Sequence, residues 1–108
     1  MGDPPLRVLA HSHLPFDPTL SGALLDLNAS TANELHRAAL ASNQLARHYS
    51  ACVESLLRTS GVDRRKVIAI GAHGQTVRHR PGEFDGTGYT IQLNAPALLA
   101  ESTGIDVV

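Results

Sequence analysis

Apolar positions along this chain change period from segment to segment, and each period implies an element. Leu6-Arg7-Val8-Leu9-Ala10 is a short, mostly apolar run behind Gly-Asp-Pro-Pro and predicts a strand. Asp17-Pro18 reads as an N-cap followed by proline at the first helical position, with Leu20, Leu24 and Leu27 on one helical face and Asn28 as the stop. Thr31-Ala32-Asn33-Glu34 has the spacing of a capping box, in which threonine oxygen and glutamate carboxylate each satisfy an orphan backbone N–H. Leu35, Ala38, Ser42, Leu45, Tyr49, Cys52 and Leu56 then alternate steps of three and four, which keeps them on one stripe, and Gly61 supplies a left-handed stop. At ~1.5 Å per residue a helix over 32–59 is roughly 42 Å long. That exceeds the width of a compact domain of this size, so the helix either breaks or packs on more protein than this chain contains.

The second half switches to strand periods. Val67-Ile68-Ala69-Ile70 is a continuous apolar run, as in a strand buried on both faces of a parallel sheet. Tyr89, Ile91 and Leu93 alternate with Thr90 and Gln92, so this strand has one dry and one polar face, and residues 76–80 are placed to pair with it antiparallel across a loop at 81–88. Residues 96–103 predict a helix of about two turns, stopped by Gly104, and Ile105-Asp106-Val107-Val108 begins another strand. The expectation is an α/β fold with a mixed sheet and flanking helices. A chain that begins at one strand and stops within another reads as a single partial domain, residues 1–108, cut from something larger.

With 108 residues, nine basic and ten acidic, the chain is one domain at most and carries no cluster of one sign. That argues against a nucleic-acid partner and against a polybasic membrane anchor. No apolar run approaches the ~20 residues of a membrane span. The one cysteine, Cys52, excludes an internal disulfide, fits a reducing cytoplasm and is expected as a buried structural thiol.

Candidate chemistry concentrates in two turns. Gly71-Ala72-His73-Gly74-Gln75-Thr76 follows the apolar run at 67–70, where parallel sheets place ligands, and offers donors and acceptors suited to sugar hydroxyl and amide groups. The alternative is a strand-ending turn whose polar groups satisfy one another. Asn94-Ala95-Pro96-Ala97 opens a helix whose free N–H groups could receive a carboxylate or phosphate, against the simpler alternative of capping by Asn94. Both turns could meet at one pocket. His11, His13, His73 and His79 allow a zinc site to be drawn, but no Cys-x-x-Cys or His-Glu-x-x-His spacing supports it, so no metal ligand is assigned. Arg78 and Arg80 read as solvated, and Glu83, Asp85 and Glu101 show no general acid and base spacing, so no catalytic residue is assigned either.

The run from Ile70 to Pro81, Ile-Gly-Ala-His-Gly-Gln-Thr-Val-Arg-His-Arg-Pro, followed by Gly88-Tyr-Thr-Ile-Gln-Leu-Asn-Ala-Pro-Ala-Leu-Leu-Ala-Glu101 and Ser102-Thr-Gly-Ile105, closely resembles the anhydro-N-acetylmuramic acid kinase family. The likeness continues more loosely through His13-Leu-Pro-Phe16 and Glu34-Leu-His-Arg-Ala38. It implies part of the first lobe of a two-lobe, actin-like fold of the sugar kinase, Hsp70 and actin type, with a ribonuclease H-like sheet. It also implies an enzyme that uses ATP and Mg2+ to open the anhydro ring of anhydro-N-acetylmuramic acid with water and phosphorylate the sugar in bacterial peptidoglycan recycling, with a homodimer open for the full-length protein. By this resemblance His73, Gly74, Gln75 and Thr76 line the sugar side of the cleft. Asn94, Pro96 and Ala97 place a helix N-terminus near the lactyl carboxylate. The family's phosphate-binding hairpin and its general-base aspartate are expected outside residues 1–108, which leaves this chain without a catalytic or ATP-binding group of its own. Ala95 stands where the family pattern suggests a bulkier or polar residue. The alternative is a non-catalytic sugar-binding or interaction module left by truncation.

Overall fold

A computed structural model describes Gly2 and residues 5–108; Met1, Asp3 and Pro4, within the lead-in to the first expected strand, lie outside the described residues. The elements run α1 (Pro18–Asp26), α2 (Glu34–Ser60), one 3-10 turn (Arg64–Lys66), β1 (Gln75–Pro81), β2 (Gly88–Leu93) and α3 (Pro96–Thr103).

Helix α1 forms as its local signals dictate. The Asp17 carboxylate accepts from the Thr19 N–H at 2.8 Å, Pro18 occupies the first turn, and Leu20 and Leu27 are buried with Leu24 beside them. Helix α2 starts two residues later than expected and only half of its capping box forms. The Glu34 carboxylate accepts from the Thr31 N–H at 3.2 Å, while the Thr31 hydroxyl accepts from Arg37 at 2.9 Å and Asn33 turns through a φ of 54°. The helix then runs unbroken for 27 residues to Gly61, whose φ of 70° ends it.

Only the middle of its apolar stripe is covered. Ala41, Leu45 and Ala46 are buried, whereas Leu35 near one end is 86% exposed and Leu56 near the other is also exposed. The radius of gyration, 16.7 Å, exceeds the roughly 13 Å of a compact chain of this length, because a ~40 Å helix outreaches the elements packed on it.

Three of the expected strands do not form; of the one expected at 105–108 only Val107 pairs, in a single bridge. Residues 6–10 have no ladder partner among the described residues and leave Leu6, Val8 and Leu9 exposed. In the run at 67–70 only Ile70 pairs, in a parallel bridge to Val107, and Ile68 is 91% exposed rather than buried on both faces. The apolar runs are present, but a strand is made by its neighbours, and none of the three has one along its length. Where pairing occurs it is regular. The Ile70 N–H donates to Asp106 O, the Val108 N–H to Ile70 O and the Ala72 N–H to Val108 O, all within 3.0 Å. Parallel and antiparallel pairing thus both occur, although the sheet described among these residues is the two-stranded β1–β2 hairpin.

The hairpin pairs antiparallel from Gln75 with Leu93 to Pro81 with Gly88, and a bulge at Val77 interrupts the register between Thr76 and Arg78. The extra residue lets Val77 enter the core while Arg78 also reaches the helical layer. Leu27, Ala41, Val77 and Leu93 form that core, joining both helices to both strands. Arg64 locks the far end, forking onto the Glu54 carboxylate at 2.6 and 2.7 Å and donating to Thr103 O at the close of α3. No helix among the described residues is long and apolar enough to cross a membrane.

Candidate functional site

The turn at 71–74 links the Ile70–Val107 bridge to β1, and its backbone is fixed against the β2–α3 junction at two points. Gly74 has a φ of 77°, and a Cβ there would lie 2.1 Å from Leu93 O, so only glycine fits so close to that carbonyl. On the other side of His73, the carboxamide of Asn94 donates from Nδ2 to Ala72 O at 2.9 Å. Its Oδ1 accepts from the Ala95 N–H at 2.9 Å. The two turns therefore touch, but Asn94, Pro96 and Ala97 are not among the residues that line the groove beside His73 and Gln75, so the contact does not make the one shared pocket that the sequence allowed.

Asn94 does not cap α3. The cap position is Ala95, which has no side-chain hydrogen bond, and Pro96 follows at the first turn. The first amide of α3 bonded back into the turn is that of Leu99, to Ala95 O at 3.0 Å, so the Ala97 and Leu98 N–H groups lie in the orphan positions of a helix N-terminus. Pro96 and Ala97 are exposed.

The run from His73 to Thr76 divides between two faces. His73 and Gln75 line an open groove of about 290 Å³ with Tyr49, Cys52, Ile70 and Leu99, where Gln75 Nε2 approaches the Tyr49 hydroxyl at 3.5 Å. Thr76 points to the other side of the hairpin, where its hydroxyl accepts from Gln92 Nε2 at 3.2 Å, and the same amide donates to Thr90 at 2.8 Å. Cys52, expected to be buried, is half-buried on the groove wall.

Sequence reasoning missed Tyr49 as a groove residue, although a tyrosine on an apolar stripe signals a phenol in need of a polar partner. It also read Arg78 as solvated. The Arg78 side chain is 16% exposed, donating to Glu34 at 2.6 Å and to Leu27 O at 2.9 Å. Arg78 holds the Glu34 carboxyl below its ordinary value, helped by the Thr31 N–H. Arg64 does the same for Glu54. His11, His13 and His79 are exposed, and among the described residues no three His, Cys, Asp or Glu side chains are grouped to hold a metal ion.

A glycine-bearing turn set beside an open helix N-terminus and a largely apolar groove that carries Tyr49, His73 and Gln75 is the candidate site on this α/β scaffold. Residues 2–108 match the family model described as anhydro-N-acetylmuramic acid kinase, and the chain belongs to that family. It is similar to the anhydro-N-acetylmuramic acid kinase of Albidiferax ferrireducens, 60% identical over 103 residues that make 95% of this chain and 26% of the relative. It is equally similar to that of Cupriavidus metallidurans, 60% identical over 101 residues, 94% of this chain and 27% of the relative. The protein of the same name from Ralstonia nicotianae is 55% identical over 101 residues, 94% and 26%. The chain thus spans about a quarter of the length of these curated relatives.

Proposed function

We propose that this chain is the sugar-side part of the first lobe of an ATP-dependent anhydro-N-acetylmuramic acid kinase with an actin-like, two-lobe fold. The complete enzyme would open the anhydro ring with water and phosphorylate the sugar to N-acetylmuramic acid 6-phosphate, in the cytoplasm, during peptidoglycan recycling. The observation that carries the reading is the joining of the 71–74 turn to the start of α3 through Ala72 and Asn94, which sets the His73 turn beside an open helix N-terminus.

In this reading His73 and Gln75 bind the sugar's hydroxyl and amide groups from the groove. The N–H groups at the start of α3, where Pro96 and Ala97 lie exposed, receive the lactyl carboxylate. Gly74 lets the backbone close on Leu93, and Thr76 acts from the opposite face of the hairpin. In this reading ATP and Mg2+ are held elsewhere in the enzyme. The glycine turn is pressed on Leu93 O, and among the described residues no three His, Cys, Asp or Glu side chains are grouped for a metal. The reading assigns phosphoryl transfer to other parts of the enzyme.

The test is a titration of the labelled chain with anhydro-N-acetylmuramic acid, alongside an assay with ATP and magnesium. Binding that perturbs His73 and Gln75, without phosphorylation by the 108 residues alone, is the expected result. Phosphorylation by this chain would place the catalytic groups within it. Absence of sugar binding would remove the sugar-side assignment and favour an interaction module, whose apolar faces around Leu35 and Ile68 are already exposed.

A further inference from the structure

His73 stands between two residues that are each held against the same short segment. Ala72 is held through its carbonyl by Asn94, and Gly74 is held by the close approach of its backbone to Leu93 O. With both neighbours fixed, the His73 side chain is the one the turn presents outward, and it is exposed on the groove. Asn94 is half-buried and has both polar ends engaged with backbone, Nδ2 with Ala72 O and Oδ1 with the Ala95 N–H. It therefore links the turn to the residue that caps α3, and it does so across 22 positions of sequence.

We infer that Asn94 is a positioning residue for His73 and the α3 N-terminus, holding them as one unit, and is not itself a contact to the sugar. This rests on the sugar-side reading above. An amide fits the task because it donates and accepts at once. Aspartate in its place would keep the acceptor for the Ala95 N–H but would turn a carboxylate oxygen toward Ala72 O, replacing attraction with repulsion. Protonation of that carboxyl would restore a donor.

The experiment follows backbone and side-chain amide resonances of the chain with and without anhydro-N-acetylmuramic acid. In the wild type, sugar should shift the His73 resonances and leave the Asn94 side-chain amide nearly unmoved. A larger shift at the Asn94 amide would make it a direct ligand and overturn the proposal. In Asn94→Asp at neutral pH, the His73 amide, which shares the peptide group of the Ala72 carbonyl, should move without sugar, and sugar affinity should fall about tenfold. Both effects should shrink toward about pH 4, where an aspartate protonates, with the wild type at each pH as reference. Lost affinity with unmoved turn resonances, or moved resonances with full affinity, would each refute the positioning role. If the wild type binds no sugar, the sugar-side reading fails. The sugar-free His73 shift still decides whether Asn94 holds the turn.

Discussion

Arg78 on β1 and Glu34 at the first turn of α2 are 44 positions apart in sequence and 2.6 Å apart in space. Glu34 also accepts from the Thr31 N–H, and Arg78 also donates to Leu27 O, so one ion pair ties the hairpin to both ends of the α1–α2 connection. The bulge at Val77 makes this possible by turning Arg78 toward the helices.

Arg78→Met should lower the melting temperature, because it leaves Leu27 O without this donor and Glu34 with only the Thr31 N–H. Arg78→Lys should recover only part of the loss, since a single ammonium does not reproduce the guanidinium's separate Nε and Nη2 contacts. Thermal melts of the three proteins decide it. Equal melting temperatures would show the pair to be solvated in solution.

Acid should destabilise the fold through a defined set of carboxylates. Glu34 and Glu54 are held below their ordinary 4.5 by Arg78 and Arg64, and Asp63 and Asp85 below 3.8 by Arg65 and by the Gly88 and Thr87 N–H groups. A carboxylate with a depressed folded value adds stability above its unfolded value and loses it as pH falls through the folded one. Their contribution should therefore be constant from neutral pH to about 5 and decline below ~4.5. Glu34→Gln should flatten that acid limb in denaturant titrations run at each pH. An unchanged limb would contradict the assignment.

Gly74→Ala should cost about 2–4 kcal/mol, combining left-handed strain with overlap on Leu93 O. Gly71→Ala, where a Cβ meets nothing within 4 Å, should be nearly neutral. Urea unfolding of both variants measures the difference. Similar stabilities would mean that the turn does not lie against Leu93.

Leu45→Ala should cost about 2–5 kcal/mol because Leu45 is fully buried, whereas Leu35→Ala on the uncovered end of the same stripe should stay within about 0.5 kcal/mol. A large loss at Leu35 would show that its end of α2 is covered in solution, by a second copy or by a rearranged segment of the chain.

Elements with local signals were legible in the sequence. Asp17-Pro18 placed α1, the alternation from Tyr89 to Leu93 placed β2, and Gly61 and Gly104 marked two helix ends. Apolarity alone makes strands of the runs at 6–10, 67–70 and 105–108, and it reports burial potential rather than the presence of a pairing edge. The bulge and the Arg78–Glu34 pair depend on register and on contacts distant in sequence. The site shows the same division. The contact between the two turns is legible but makes no shared pocket, and grouping Gln75 with Thr76 ignores the two-residue period of a strand, which sends neighbouring side chains to opposite faces.

The parallel bridge between Ile70 and Val107 encloses residues 71–106, so the hairpin and α3 lie inside one closed excursion of the chain. Hairpins and single helices form within microseconds from local contacts, whereas closing a long loop carries an entropic cost that local pairing does not. The bridge should therefore close last on folding and open first on excursion from the native state, with the Ile70 and Val108 amides exchanging faster than those of β1 and β2. The turn bearing His73 is thus hinged between a late-forming latch and an early-forming hairpin. A ligand bound at that turn should slow exchange at the Ile70 and Val108 amides.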